Sequence, residues 1–451
     1  MSEQMVDVCV VGAGVAGIAC AQGLAQQGAT VVLLDRLHPM PDCLKAEKIG
    51  GEGVQAMLRL SFGDAVNAAL TPLRNVSVFI GERSLGALRL DPPEAGMLYH
   101  DFVNALRGCL DRQVCFRPGT KATAFEQQPD SIRVVTDKGE RIACRLVVMA
   151  TGDARHLLEP LGATHEPQMP HQTFAAAFSM KGILGEQNAP DDSQTYHRPI
   201  VGAPIAYATF FRLGVSSVPK GNPTSSAGSD AVREGSLLRA NIFCPGEFTK
   251  SGDEKWQRDL KQRPLELLSE GNCLLAAASR SWSMASPVAI RKVQVSRLQP
   301  PSVPRIVVLG DAAHTIDPSG GGGLTFSLLE AELLLNVYVP RWLAANDCSQ
   351  RAIATFYADP RRVSAVRRFF SRGEYIFALN HDPSMQGKSL RLRFALQHII
   401  SSRTNSPPGR QHRGAGTHPW QIPTSYLYEQ QASATRNWRE RLIPSGEKRS
   451  M

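Results

Sequence analysis

The sequence predicts an α/β protein in which a βαβ unit with an inserted β-meander is joined to an α+β unit with a mainly antiparallel sheet. Three observations carry this expectation. A β-branched run, Val6 to Val11, leads directly into Gly12-Ala13-Gly14-Val15-Ala16-Gly17 and a small-residue helical stretch ending near Gly28, and a second strand follows from Thr30 to Leu34. Residues 115 to 150 alternate as a meander, with Ile132 to Thr136 and Arg141 to Cys144 flanking a turn at Asp137-Lys138-Gly139. Residues 165 to 300 are rich in strand-like runs, among them Thr173 to Met180, Ile205 to Leu213 and Leu237 to Phe243, interrupted by a Pro-, Gly- and Ser-rich loop at Val218 to Ser229.

A chain of 451 residues corresponds to two or three domains at about 150 residues each. With 43% hydrophobic and 20% charged residues it is neither disordered as a whole nor fibrous. Its nine cysteines are an odd number without C-x-x-C spacing, so neither a disulfide framework nor a zinc site is expected, and reduced thiols in a cytoplasmic setting fit best. The apolar start, Val6 to Leu24, lacks a basic leading region and holds four glycines, unlike a secretory signal. The stretch Leu328 to Val339 is too short to span a bilayer and contains Glu330 and Glu332, so no transmembrane segment is expected.

The net charge of +9 is unevenly placed: residues 361 to 451 hold 16 Lys plus Arg against 5 Asp plus Glu, and the remainder holds 34 against 36. Such a tail reads first as a solvated extension, with nucleic acid, an anionic membrane surface or an acidic partner as the alternatives. The aromatic-interleaved basic runs of RNA-binding modules are absent, so no specific nucleic acid is expected.

The first motif has the context that a dinucleotide fingerprint requires. Gly12 permits the tight turn, Gly14 lets the backbone approach a pyrophosphate, and Gly17 lets the helix pack closely on the strand. The helix N-terminus offers free N–H groups and its positive dipole end to phosphates. Asp35, 18 residues beyond Gly17, closes the second strand, where a carboxylate can accept hydrogen bonds from ribose hydroxyls. This Rossmann-type βαβ reading does not distinguish NAD from FAD.

The second motif does. A buried strand, Arg305 to Leu309, delivers Gly310-Asp311-Ala312-Ala313-His314-Thr315-Ile316-Asp317-Pro318, then Ser319, the glycines 320 to 323 and a helical run from Leu324 to Val339. Asp311 is placed to bond sugar-alcohol hydroxyls, and the glycine loop lets main-chain N–H groups reach a flat ring. The positive end of the following helix would stabilise negative charge on that ring, as in a reduced flavin.

Over about residues 5 to 340, the two motifs together resemble the FAD-dependent monooxygenases typified by para-hydroxybenzoate hydroxylase. The resemblance implies FAD, with the pyrophosphate on Gly12, Ala13, Gly14, Val15, Ala16 and Gly17 and the adenosine ribose on Asp35 beside Arg36. It implies Lys45 near the pyrophosphate, where the family often has arginine, with a solvated lysine as the equal alternative. Asp311 would bind the ribityl chain, while Pro318, Gly321, Gly322, Gly323 and Leu324 would line the isoalloxazine. Ala122 would lie beside the adenine. Tyr99 stands where many relatives have a ribityl-contacting arginine or glutamine, although ordinary packing also accounts for it.

The implied reaction is insertion of one oxygen atom from O2 into a small aromatic or unsaturated substrate through a flavin C4a-hydroperoxide, with NADPH or NADH as the electron source. The alternatives are a flavin-dependent halogenase, an FAD-linked isoprenoid-type reductase, and a non-catalytic flavoprotein whose basic tail binds RNA or membrane. Trp282-Ser283-Met284-Ala285 does not provide the Trp-x-Trp-x-Ile-Pro element typical of the halogenases.

Three departures qualify the resemblance. Where many relatives carry Ala-Asp-Gly-x-x-Ser-x-x-Arg, this chain has Ala150-Thr151-Gly152-Asp153-Ala154-Arg155-His156-Leu157-Leu158. FAD binding survives that change, whereas direct docking of NADH or NADPH is put in doubt and a separate flavin reductase becomes the alternative. Asp317 replaces a usual proline and reads as a loop cap. Thr325 replaces a usual asparagine beside the flavin.

The expected organisation is an FAD-binding domain from residues 1–75, 99–164 and 300–360, and a substrate domain from 76–98, read as short strands, and 165–299. A helical segment over 361–400 and a basic, flexible tail over 401–451 follow. Tyr207, Phe210, Phe211, Phe243, Phe248 and Trp282 are candidates for an apolar pocket or for core. His171, His197, Tyr196, Arg212 and Arg291 are polar candidates for which a structural role is preferred, and His314 is expected to order the flavin loop. No catalytic base is identified and no metal site is expected.

Overall fold

The computed structural model of the chain describes residues 5–404 apart from 153–154, 170–171, 183–191, 198–204, 206, 215–236, 246–249, 270–271, 302 and 383. The first elements are β1 (Val6–Val11), α1 (Val15–Gln26), β2 (Val31–Asp35), β3 (Lys48–Ile49), α2 (Gly51–Arg59), α3 (Gly63–Ala69), β4 (Thr71–Ile80), β5 (Arg83–Gly96) and α4 (Tyr99–Gly108). Then come β6 (Val114–Pro118), β7 (Ala122–Gln127), β8 (Ile132–Thr136), β9 (Arg141–Met149), β10 (Thr164–Pro167), β11 (Thr173–Lys181), β12 (Ser193–His197), β13 (Tyr207–Leu213) and β14 (Leu237–Pro245). The chain continues through α5 (Lys250–Gln262), α6 (Pro264–Ser269), α7 (Cys273–Ser279), β15 (Ser283–Met284), β16 (Ala289–Val293), β17 (Ser296–Gln299), β18 (Ile306–Val308) and β19 (His314–Thr315). The last elements are α8 (Gly323–Leu333), α9 (Val339–Ala344), α10 (Gln350–Tyr357), α11 (Pro360–His381) and α12 (Met385–Thr404).

The first sheet runs β6-β2-β1-β9-β8-β7, with β18 paired to β9. Strands β1, β2, β6, β9 and β18 pair in parallel, and β7 and β8 join β9 as the antiparallel meander. The parallel strands are covered on both faces, so they read as continuous apolar runs without alternation. On one face α1 and α8 bury Ile18, Leu24, Leu328 and Ala331 against Val8, Val10, Val148 and Val307. On the other, Val32, Leu34, Ile132, Val134 and Leu158 form a second cluster.

The second sheet runs β15-β11-β14-β13-β12-β4-β5-β3, with β16 on β11. It is antiparallel except between β4 and β12. Residues expected to form short strands over 76–98 belong to one long hairpin, β4–β5, whose first strand already begins at Thr71. One face is closed by Trp256, Leu260, Leu268 and Leu275 of α5 to α7, packed on Phe174, Phe178, Phe210 and Ile242. Side chains of a strand alternate between faces. The opposite face therefore presents Thr195, His197, Tyr207, Thr209, Asn241 and Phe243 toward the first sheet, and these line an interior cavity.

The final helices α11 and α12 exceed the expected bounds at both ends and lie over the β4–β5 hairpin, where Leu379 and Phe394 bury against Val78, Leu85 and Leu88. The loop at Val218 to Ser229 and the tail from residue 405 lie outside the described residues.

Where the two sheets meet, Glu47 and Arg239 form a bidentate pair: Nε donates to Oε2 at 2.7 Å and Nη2 to Oε1 at 2.6 Å, while Nη1 donates to Ser179 Oγ at 2.9 Å. Both side chains are almost fully buried. Removing one partner strands the other charge in a low-dielectric interior. Arg239→Leu is accordingly expected to lower the unfolding free energy by about 3–5 kcal/mol, read from the midpoint of urea denaturation; a loss under about 1 kcal/mol, the size seen for exposed pairs, would contradict the assignment of this pair to the interior.

Candidate functional site

A cavity of about 1680 Å³ runs from the glycine turn after β1 to the inner face of the second sheet. Pockets for small ligands occupy roughly 300–1,000 Å³, so this space has room for a dinucleotide and a second molecule.

At one end the turn has the geometry that close backbone approach requires. Gly12 adopts φ +105°, and a Cβ there would stand 2.5 Å from the Ala150 carbonyl oxygen. At Gly17 a Cβ would stand 1.8 Å from the Gly12 oxygen. Gly14 has φ −79° and caps α1, so its lack of a side chain answers to space in front of the helix rather than to backbone strain. Ala13 is buried, and Val15 and Ala16 line the cavity where α1 begins.

Asp35 ends β2 as expected and its carboxylate organises the turn. Oδ2 accepts from Ala13 N at 2.6 Å, Oδ1 accepts from Leu37 N at 2.7 Å, and Arg107 Nη2 lies 3.0 Å from Oδ2. An ionised carboxylate has about four acceptor positions, so one remains for a ligand hydroxyl. Arg107 also donates to the carbonyls of Ala13 and Leu37, tying α4 to the turn. Arg36 is exposed at the cavity rim, and Ala122 is buried in its wall.

Lys45 points inward. Its Nζ stands 4.0 Å from Asp311 Oδ2, 5.4 Å from the Tyr99 ring centre, and close enough to Gly152 that a Cβ there would be 3.1 Å away. Tyr99 is buried; burial pushes its hydroxyl pKa up, so it is protonated, and it accepts from the Val15 N–H at the start of α1. The Oγ1 of Thr151, in the strand-end departure, is buried in the cavity wall with no hydrogen-bond partner. The side-chain-free turn, a cradle that a Cβ at Gly12 or Gly17 would obstruct, is what fits these residues to a dinucleotide.

The loop from Gly310 to Leu324 is held from behind by a buried network. Glu330 of α8 accepts from Gly310 N at 2.8 Å and from Arg362 Nε at 2.7 Å, and Arg362 Nη2 lies 2.8 Å from His314 Nε2. Burial, reinforced by Arg362, pushes the His314 pKa well below its ordinary value, which leaves a neutral ring able to accept from the guanidinium. His314 thus orders the loop.

Asp317 caps the turn by accepting from Ser319 N at 2.8 Å, and it also accepts from Thr173 Oγ1 of β11 at 2.7 Å. Gly321 has φ +62°, and a Cβ at Gly322 would stand 2.3 Å from the Phe369 ring. Asp311, Pro318, Gly321, Gly322, Gly323 and Leu324 all line the cavity at the N-terminus of α8. Thr325 accepts from Gly50 N at 3.0 Å, which pins α2 to this helix.

The far end of the cavity is a chamber under the second sheet. Tyr207, Phe243, Phe369 and Phe394 supply aromatic walls. Of the other aromatic candidates, Phe210 and Trp282 belong to the core on the opposite face, Phe211 packs with Leu73, and Phe248 lies outside the described residues, as does His171. Tyr196 is likewise core, stacked on Phe79 at 4.4 Å, whereas its neighbour His197 and the more distant Arg291 line the cavity.

Buried charges here are paired. Lys48 and Glu94 lie 2.9 Å apart; burial opposes both charges, but mutual attraction outweighs it, raising the lysine pKa and lowering the carboxyl pKa. Sequence reasoning misses Arg107, Glu330, Arg362 and the Lys48–Glu94 pair, whose partners are remote in the chain.

This geometry fits a dinucleotide-binding protein with a second chamber beyond the Gly310 loop. Comparison with known proteins agrees. Residues 5–182 match the family described as FAD binding domain. The chain is 24% identical over 401 residues to squalene epoxidase erg1 of Aspergillus fumigatus, covering 83% of this chain and 76% of that protein. It is 24% identical over 354 residues to 3-demethoxyubiquinol 3-hydroxylase of Escherichia coli K12, covering 75% and 81%. Among solved structures, p-nitrophenol 4-monooxygenase PnpA from Pseudomonas putida DLL-E4 superposes with a TM-score of 0.67 at 16% identity, covering 89% of this chain and 96% of that one.

Residues 5–182 are thus an FAD-binding domain, and the chain is an FAD-dependent oxidoreductase similar to the monooxygenases typified by para-hydroxybenzoate hydroxylase. Among the described residues, no helix is long and apolar enough to cross a membrane and no His, Cys, Asp and Glu cluster is arranged to hold a metal.

His197 is 3% exposed, and burial, reinforced by nearby His398, lowers its pKa to about 3. An unfolded histidine titrates near ~6.5. Between those values the unfolded chain binds one more proton than the folded one, so this contribution to stability is complete above ~6.5 and is lost as pH falls toward 3. His197→Gln is expected to flatten the acid limb of urea-derived stability against pH by up to about 1.4 kcal/mol per pH unit; an unchanged slope would show that the ring is not held neutral.

Proposed function

We propose that the protein inserts one oxygen atom of O2 into a small aromatic or unsaturated organic substrate held in the chamber under the second sheet, the other atom leaving as water. The observation that carries this reading is the continuity of the cavity: the wall that begins at Gly12 and Gly14 passes Asp311 and the glycine loop and ends among Tyr207, Phe243 and Phe394. Bound reduced flavin would supply the electrons that activate O2. The flavin would lie on Gly12, Gly14, Asp35, Lys45 and Asp311, with Pro318 and Gly321 to Leu324 beside its ring and the N-terminus of α8 favouring negative charge there.

The chain's own work is to exclude water, orient the substrate and provide hydrogen bonds. In the chamber His197 Nδ1 lies 3.4 Å from Asn380 Nδ2, which leaves the ring proton on Nε2 as a neutral donor for a substrate oxygen. Neutral donors bind a hydroxyl or carbonyl oxygen without demanding a counter-charge.

Electrons would come from NADH or NADPH, directly or through a separate flavin reductase. At the position where relatives carry an arginine after the strand end, Leu158 is 1% exposed and packs into the core, which favours the indirect route.

The deciding experiment combines loading and turnover. The purified protein is expected to be yellow, and in the presence of reductant and a phenol or polyene to incorporate label from 18O2 into product. Turnover without O2 uptake would establish a reductase instead, and a halide requirement a halogenase.

Two variants address the site itself. Gly14→Val, which the backbone tolerates at φ −79°, is expected to fold but fail to take up FAD, because its side chain fills the space before α1. Asp311→Ala is expected to weaken FAD retention on gel filtration at least tenfold, the loss of a charge-assisted hydrogen bond worth about 1.5–3 kcal/mol. Stoichiometric flavin in both variants would overturn the site.

A further inference from the structure

Eight large apolar side chains are exposed among the described residues, and half of them sit on one helix: Met385, Leu392, Leu396 and Ile400 of α12, at 74, 62, 50 and 61% exposure. With about 100° of rotation per residue, these four fall within an arc of roughly 80° that also holds exposed Ser389, a mainly apolar stripe along the outer face. Its length, at about 1.5 Å per residue, is roughly 22 Å.

The flanks of the stripe are basic. Lys388 lies about 40° beyond one edge and Arg393 about 20° beyond the other. Both are exposed and neither makes an ion pair among the described residues. The inner face of the same helix is also apolar: Phe394 is buried against Val78 and Leu88, and Phe394, His398 and Ser401 line the chamber. A helix apolar on both faces has its inner face packed here, while among the described residues nothing covers the outer one.

We propose that the outer face of α12 seats on an anionic lipid bilayer surface, with the stripe in the boundary between headgroups and acyl chains and Lys388 and Arg393 at the lipid phosphates. Charge complementarity selects this occupant. Cations on both sides of a narrow apolar stripe match a negatively charged plane into which apolar side chains can sink. The net basic charge of residues 361–451 adds a long-range attraction of the same sign. The inference stands independently of the proposed reaction, since it uses only exposure and charge on the outer face.

The test is sedimentation of the full-length, FAD-loaded protein with vesicles of phosphatidylcholine, with and without phosphatidylglycerol. Binding is expected only to the anionic vesicles and should weaken as salt is added. Leu392→Glu combined with Leu396→Glu is expected to reduce the bound fraction at least tenfold, with flavin content and melting temperature unchanged because both positions face outward. Lys388→Gln combined with Arg393→Gln is expected to weaken binding roughly 30-fold, from two charges at about 1 kcal/mol each.

No sedimentation with anionic vesicles would overturn the proposal. So would undiminished binding of the double glutamate variant, which would place the attraction in basic residues after α12. A dimer by light scattering that the glutamate variant dissociates would assign the stripe to a second copy of the chain. Salt-sensitive binding of RNA without vesicle binding would assign the basic charge to nucleic acid.

Discussion

The parallel register of β1, β9 and β18 is the constraint on which the rest depends. Val11 stands opposite Met149, and Met149 opposite Val308, so three strands from distant parts of the chain end at one level. The segments leaving these strands are thereby brought to one edge: the Gly12 turn, Ala150 with Thr151, and Gly310 with Asp311. The contact is close enough that Gly12 tolerates no Cβ against the Ala150 carbonyl. A slip of one residue would turn every side chain of these strands to the opposite face. It would also draw the Gly12 turn away from the Gly310 loop.

Behind that edge, the loops are not left to their own conformational preferences. The Gly310 loop is clamped by Glu330 and Arg362 on its buried side, and Asp317 ties the following turn to β11 through Thr173. A glycine-rich loop loses much backbone entropy on ordering. Buried charge-assisted hydrogen bonds, stronger than neutral ones, offset that loss and hold the loop in place along the cavity wall. The same division recurs at the other end, where Arg107 holds the carbonyls of Ala13 and Leu37 while Asp35 holds the N–H groups.

This division also sets how much of the site is legible in the sequence. The two glycine motifs, Asp35, Asp311 and the Asp317 cap depend on local backbone chemistry, and local spacing reveals them. Lys45 is ambiguous in sequence because a single lysine says nothing of direction; the structure turns it toward Asp311 and Tyr99. The clamps are not legible, since Glu330 and Arg362 are 32 residues apart and Glu47 and Arg239 are 192 apart. Nor can sequence phase the strands of the second sheet. Tyr207 to Leu213 is apolar or aromatic at nearly every position, so alternation gives no sign that Tyr207 and Thr209 face the chamber while Phe210 faces the core. For the same reason His197, on the cavity wall, and Tyr196, in the core, look equivalent in sequence.

The chamber's polarity depends in turn on how its charges are disposed. Lys48 and Glu94 neutralise each other, and His197 and His398 both have pKa values lowered chiefly by burial, so the charges remaining on this wall are arginines, Arg291 and Arg372, the latter acting on the Lys48–Glu94 pair. A cation entering there would lose hydration and face those arginines, at a cost of several kcal/mol. A neutral molecule with one hydroxyl or carbonyl would lose little and gain the His197 contact. Selection by desolvation therefore acts before any chemistry, and it acts most strongly against cations. Because Phe394 and His398 come from α12, the outermost helix of this wall, the dryness of the chamber is set by how firmly that helix is held in place.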